Sequence, residues 1–265
     1  MPAPAHHHTR GPGISAVPAV HSQMLPWFRP PKPARLTLIY LPYAGGGVNE
    51  LRGWAEHLPE DVALCPVHLP GREARFREPA ARSMMELVRP LGTALSDLSG
   101  PYVIFGHSMG SWIGYELVRE LRRIGGRLPE QLLVSARRAP GVADPWSGMH
   151  QLDDDALIDT IQARYGAIPP QVAAERGLLQ LFLPTLRADL QLLETWDYQP
   201  EAPLPIPIYA FHGREDPGVP PEQMATWAGH TRRRFRQIGL AGGHFYFRGP
   251  NLEFFRELSM VLEET

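Results

Sequence analysis

A chain of 265 residues, 43% hydrophobic and 20% charged, can bury a sizeable core and fits one globular domain, with or without an insertion. A formal net charge of −2 supplies no global field for nucleic acid or a membrane surface. The one cysteine, Cys65, excludes an intrachain disulfide and suits a cytoplasmic location. No apolar run nears the ~18 residues of a membrane span, and the N-terminus lacks a signal-peptide plan.

Residues 1–34 hold eight of the 29 prolines, the run His6-His7-His8 and no apolar periodicity. They read as a disordered leader, with Trp27-Phe28 able to fold back on the domain. Residues 35–265 form the domain. Arg35 to Leu41 is the first strand, ending in the loop Pro42-Tyr43-Ala44-Gly45-Gly46-Gly47. That loop carries neither glycine-rich nucleotide pattern. Asn49 to Leu58 reads as a helix, Val62 to Val67 as the second strand, and Ser83 to Leu98 as a helix that Pro90 should kink or divide. Cys65 reads as buried, and Met84 and Met85 as core packing.

Tyr102-Val103-Ile104-Phe105 reads as a buried strand, Gly106-His107-Ser108-Met109-Gly110 as a turn, and Trp112 to Val118 as a helix closed by Gly125-Gly126. Glycine-x-serine-x-glycine between a strand and a helix is the nucleophile-elbow context. Gln131 to Ala136 is the fourth strand. From about 141 to 200 only helical stretches follow: one opened by Asp153-Asp154-Asp155, then Gln171 to Leu183 and Pro184 to Trp196. An insertion of that kind reads as a lid. Strands return at Ile206 to Phe211 and Arg234 to Ile238, separated by a helix over Pro221 to His230, and Asn251 to Leu262 closes the chain. Alternating strands and helices imply a mostly parallel sheet covered on both faces, an α/β fold.

A serine hydroxyl needs a base within hydrogen-bond reach, and the base needs a group that fixes its tautomer. In an open α/β sheet these should sit after strands, in the order serine, acid, histidine. Ser108, Asp216 and His244 satisfy that order. Of eleven histidines only His230 and His244 follow Asp216. His230 reads as a surface residue, His107 as a packing or hydrogen-bonding neighbour, and His212 precedes the acid. Glu215 competes with Asp216, and the shorter carboxylate beside a turn-fixing proline is preferred. The oxyanion hole should use the backbone N–H of Met109 and of Ala44, with Tyr43 and Gly45 as fallback positions. No metal or cofactor is implied.

The sequence resembles the free-standing type II thioesterases of polyketide and nonribosomal peptide pathways, from about Trp27 to the C-terminus. The resemblance rests on Trp27-Phe28-Arg29, Leu41 to Gly46, Leu69-Pro70-Gly71-Arg72-Glu73 with Arg75-Phe76, and Gly106 to Gly110. It continues through Ser135 to Pro140, Leu186-Arg187-Ala188-Asp189 and Gly242 to Tyr246. It departs at Ala136, where the family usually has glycine, and at Tyr43, where histidine or phenylalanine is common. The resemblance implies an α/β-hydrolase fold with a helical lid, and hydrolysis of acyl thioesters on the phosphopantetheine arm of acyl or peptidyl carrier proteins; a monomer is expected. It also implies an editing role on misprimed synthases and carries the triad over as Ser108, Asp216 and His244. Because carrier proteins are acidic, Arg137, Arg138 and Arg232-Arg233-Arg234 are candidate docking charges, the last run reading first as solvated arginines. The alternatives are a general carboxylesterase or lipase with the same triad, and a non-catalytic carrier-protein-binding module.

Overall fold

The computed structural model describes residues 25, 34–143, 147–166, 168, 175–249 and 251–265. The expected leader therefore lies outside the described residues, save Leu25, which is buried in the core, and Ala34.

Six strands form one parallel sheet: β1 (Leu36–Leu41), β2 (Val62–Pro66), β3 (Tyr102–His107), β4 (Gln131–Ser135), β5 (Ile208–Gly213) and β6 (Phe235–Leu240), in the spatial order β2-β1-β3-β4-β5-β6. Every residue of β3, β4 and β5 is buried, as a sheet covered on both faces requires. Alternation then decides which face each side chain joins. Ile104 of β3 packs toward the layer of α1 (Met84–Ser96) and α2 (Met109–Ile124), with Leu91, Ile113 and Leu117. Val103 and Phe105 pack on the other face with Trp54 and, from the closing helix (Leu252–Glu263), Phe254 and Leu258. Each such buried side chain stabilises the fold by roughly 1.5–3 kcal/mol before entropy is counted.

Helix ends follow local chemistry. Gly125 closes α2 at φ 69°, and the Asn251 side chain caps the closing helix by accepting the Phe254 N–H at 3.1 Å. In the inserted segment, α3 (Asp154–Tyr165) starts at Asp153, whose carboxylate accepts the Ala156 N–H at 2.8 Å. It is followed by α4 (Arg176–Glu194). These two helices share a small core of their own, including Leu157, Ile161, Leu183, Leu186 and Leu190, which reaches Ala44 on the loop after β1. Short α5 (Pro221–Ala225) runs on as a 3-10 turn to His230, and the closing helix is α6.

Two expectations are corrected. Asn49 to Leu58 is not one helix but two 3-10 turns, Asn49–Leu51 and Trp54–Glu56, because Gly53 between them adopts φ 88°. Of the two outcomes expected of Pro90, division of α1 does not occur. Pro184 does not separate two helices either: α4 runs through it, with Leu179, Leu183, Leu186 and Leu190 buried on both sides. One lost backbone hydrogen bond is outweighed there by a continuous apolar face. The start of the expected helix at 171–174 lies outside the described residues. Among the described residues no helix is long and apolar enough to cross a membrane.

Candidate active site

Ser108 stands between β3 and α2 with φ 51°, in the left-handed region that non-glycine residues avoid. The turn leaves no space beside it. A Cβ on Gly106 would lie 2.1 Å from the Gly110 carbonyl oxygen, and one on Gly110 would lie 2.1 Å from the Leu41 carbonyl oxygen. Neighbouring strands hold the strained residue in place: the Ser108 N–H donates to Ser135 O at 2.7 Å, and Ser108 O accepts the Ser111 N–H at 3.0 Å. The Ser111 hydroxyl sits between Gly106 O (2.8 Å) and Ser135 O (3.0 Å) and accepts the Ser135 N–H, fastening the turn to β4.

His244 lies on the loop after β6 and Asp216 on the loop after β5. Their side chains meet, Nδ1 to Oδ2, at 2.6 Å, and both residues are buried. The other Asp216 oxygen accepts the Gly218 N–H at 2.9 Å. An ionised carboxylate can only accept, so Nδ1 carries the proton and Nε2 is the basic nitrogen. Three rings bound the imidazole: Tyr165 of α3 at 4.5 Å, Phe245 at 5.0 Å and His107 at 5.1 Å between centroids. Glu215, the competing acid, is exposed. His230 is not a surface residue but half-buried, with its Nδ1 3.1 Å from the Tyr115 hydroxyl. His107 bonds through Nδ1 to the Ser135 hydroxyl at 2.7 Å. Burial, then the nearby His244 and Arg248, hold its imidazole well below the ordinary range, so it is neutral. Cys65 is buried, which pushes its thiol up to about 12.

Ser108 and His244 both line a cavity of about 440 Å3, walled by Trp112, Ile161, Phe182, Leu190 and Trp196 among others. Apolar walls with a few converging polar groups suit an acyl chain whose reacting end is polar. Tyr43 lines the same space. Its hydroxyl is bonded to Glu50, and Arg248 donates to the Tyr43 oxygen and to Glu50, each at 2.9 Å.

Ala44 also borders the cavity, and Met109 is the first residue of α2. Neither N–H has an acceptor among the described residues, as a donor reserved for substrate requires. The fallback Gly45 is committed elsewhere: its N–H donates to Asp189 Oδ2 at 2.7 Å. Asp189 forms a two-point ion pair with Arg72, with both Nη–Oδ distances 2.7 Å. Both residues belong to motifs that carried the resemblance, but no local pattern pairs them across 117 positions. The docking role suggested for Arg137 and Arg138 fails, because both are buried; Arg137 stacks 3.9 Å over Trp112 and Arg138 donates to Ala143 O at 2.9 Å. Arg232 and Arg233 are exposed, and Arg234 pairs with Glu264.

Strand order, the elbow after β3 and the loops after β5 and β6 together make this an α/β-hydrolase. A model of the thioesterase domain matches residues 36–258. The chain belongs to that family and is a hydrolase acting on thioesters. Thioesterase PikA5 of Streptomyces venezuelae is 35% identical over 234 residues, covering 88% of this chain and 83% of that one. The RedJ thioesterase from the prodiginine pathway of Streptomyces coelicolor superimposes with a TM-score of 0.80 at 36% identity, covering 92% of this chain and 96% of that one. The type II thioesterase BorB from the borrelidin cluster gives 0.79 at 33% identity, covering 91% and 96%.

Proposed function

We propose that the protein removes acyl groups from the phosphopantetheine arm of acyl or peptidyl carrier proteins, editing stalled or misprimed polyketide or nonribosomal peptide synthases. The pairing of His244 with Asp216 at 2.6 Å, beside a serine held at φ 51° on the same cavity, carries the reading. His244 Nε2 takes the Ser108 proton as Oγ attacks the thioester carbonyl. The oxyanion rests on the Ala44 and Met109 N–H groups. The carbon–sulfur bond breaks, His244 returns the proton to the leaving thiolate, and the acyl group remains on Ser108. Water deprotonated by His244 then releases the acid. The helices α3 and α4 act as a lid, their side chains closing the cavity from above the strand ends.

The test is a matched set of acyl-pantetheine thioesters and oxygen esters, with acyl-carrier proteins of varied chain length. Faster turnover of the thioesters, and loss of both turnover and fluorophosphonate labelling in Ser108→Ala, are expected. A preference for oxygen esters would defeat the carrier-protein reading. A folded wild type that neither labels nor turns over would defeat the triad.

A further inference from the structure

The buried ion pair Arg72–Asp189 does more than hold a loop to a helix. Asp189 Oδ2 receives the Gly45 N–H at 2.7 Å and Arg72 Nη1 at 2.7 Å, while the same Nη1 donates to Gly46 O at 3.0 Å. One guanidinium–carboxylate pair thus grips two peptide groups of the loop after β1, immediately beyond Ala44. The next residue along, Glu73, grips the rest. Held at φ 47°, it accepts the Val48 N–H at 2.9 Å and the Asn49 N–H at 3.0 Å. A Cβ on Gly47 would lie 2.4 Å from its carboxyl carbon, so the contact is close along its length. The side supplied by α4 is equally close. A Cβ on Gly45 would fall 2.6 Å from the Phe182 ring, and the Thr185 hydroxyl donates to Gly71 O at 2.8 Å.

We infer that Arg72 and Asp189 are positioning residues for the oxyanion hole: they orient the Ala44 N–H by clamping the peptides that follow it, and they tie that orientation to the seating of α4. This rests on the acyl-enzyme reading above. The Ala44 N–H shares its rigid peptide plane with Tyr43 O, which accepts the Gly46 N–H at 2.9 Å, so clamping Gly45 N–H and Gly46 O holds the turn that keeps this plane aimed at the oxyanion. A charged acceptor and a two-point guanidinium make the clamp stiff, and burial removes the water that would compete for it. Because Asp189 comes from α4, a displaced α4 takes the acceptor away and leaves the hole unformed. Thioester cleavage is then confined to the state in which the acyl chain is covered.

The experiment compares wild type with Arg72→Lys, Asp189→Asn and the double variant Arg72→Met/Asp189→Leu. The double variant removes both buried charges together and guards against unfolding of the singles. Each is assayed on an acyl-pantetheine thioester and on a p-nitrophenyl ester of the same acid. Binding is measured for a trifluoromethyl ketone, which forms a tetrahedral oxyanion on the serine, and for a non-hydrolysable acyl-pantetheine amide, which does not. The expected result is a kcat loss of about 100-fold on both esters with little change in KM, about the effect of one oxyanion donor. Ketone affinity falls in parallel while amide affinity is kept. Unchanged kcat in a folded variant overturns the inference, as does a loss shared equally by the amide and the ketone. Turnover surviving in Ser108→Ala overturns the acyl-enzyme reading instead, so the two failures are told apart.

Discussion

His244 Nδ1 and Asp216 Oδ2 lie 2.6 Å apart although 28 residues separate them, and the acid's second oxygen is held by the Gly218 N–H. On the proposed mechanism, the acid fixes the tautomer of the base from a carboxylate anchored at both oxygens. Asp216→Asn should leave the fold intact and lower kcat by about 10³–10⁴-fold, since an amide at that place favours the wrong tautomer. Single-turnover kinetics with a circular-dichroism control read this out. A loss below tenfold would remove Asp216 from the role.

The elbow glycines should respond unequally to alanine. Gly106→Ala and Gly110→Ala each push a methyl to 2.1 Å from a backbone oxygen, which cannot give way without moving a strand or α2. Both are expected to lose several kcal/mol of stability, or to yield no folded protein. Gly114→Ala meets only side-chain carbons, the nearest at 3.1 Å, and sits inside a helix. Alanine gains up to about 1 kcal/mol of helix propensity there, so a change within about 1 kcal/mol is expected. Chemical denaturation of all three tests the ranking.

His107 predicts a pH response. Its pKa is depressed in the fold, so the unfolded chain binds a proton that the native one refuses. That contribution to stability is present above the unfolded value of about 6.5 and is lost as pH falls toward the folded one, with a slope approaching 1.4 kcal/mol per pH unit. His68 and His230 are shifted the same way. The diagnostic is therefore a difference: urea unfolding between pH 7.5 and 5.5 should be less pH-dependent in His107→Asn than in wild type. Equal slopes would show that His107 titrates normally.

Thiol reagents should not inactivate the enzyme. Cys65 is 1% exposed and its thiol is pushed up to about 12, so almost no thiolate is present at neutral pH. Iodoacetamide is expected to modify it only in denaturant, with activity unchanged after native treatment. Rapid native alkylation would mean that β2 opens.

Ala136, where the resembling family usually has glycine, adopts φ 48°. The structure explains the usual residue: a left-handed backbone suits a side chain poorly. Ala136→Gly should leave stability unchanged or raise it by up to about 1 kcal/mol, the strain relieved being partly offset by the freer unfolded chain. A clear loss would show that the methyl packs usefully against its neighbours.

The sheet was legible because parallel strands buried on both faces read as continuous apolar runs, and each candidate site residue follows one. Those positions, with the serine–acid–histidine order of the nucleophile-elbow pattern, selected Ser108, Asp216 and His244. The helix expected at Asn49–Leu58 failed because Leu51, Trp54 and Leu58 have helical spacing, whereas the chain turns at Gly53 and buries Leu51 and Trp54 from two short turns. Pro184 misled in the other direction, since a local breaker says nothing of the apolar contacts that hold α4 together across it. The pairing of Arg72 with Asp189 was invisible for a deeper reason. Charge complementarity over 117 positions leaves no periodic trace, and only the folded chain brings the two together.

Three described residues other than glycine adopt positive φ, and they are Glu73, Ser108 and Ala136. All three lie at the end of the sheet where the strands give way to loops. The backbone is thus at its least relaxed at the rim that carries the candidate site, and on the proposed mechanism part of the conformational energy stored there is inseparable from activity. Relieving that strain is one route to higher thermal tolerance. On the proposed mechanism Ser108 and Glu73 are closed to that route, one as nucleophile and the other as the brace of the oxyanion loop. Ala136 is the position where durability and turnover need not compete.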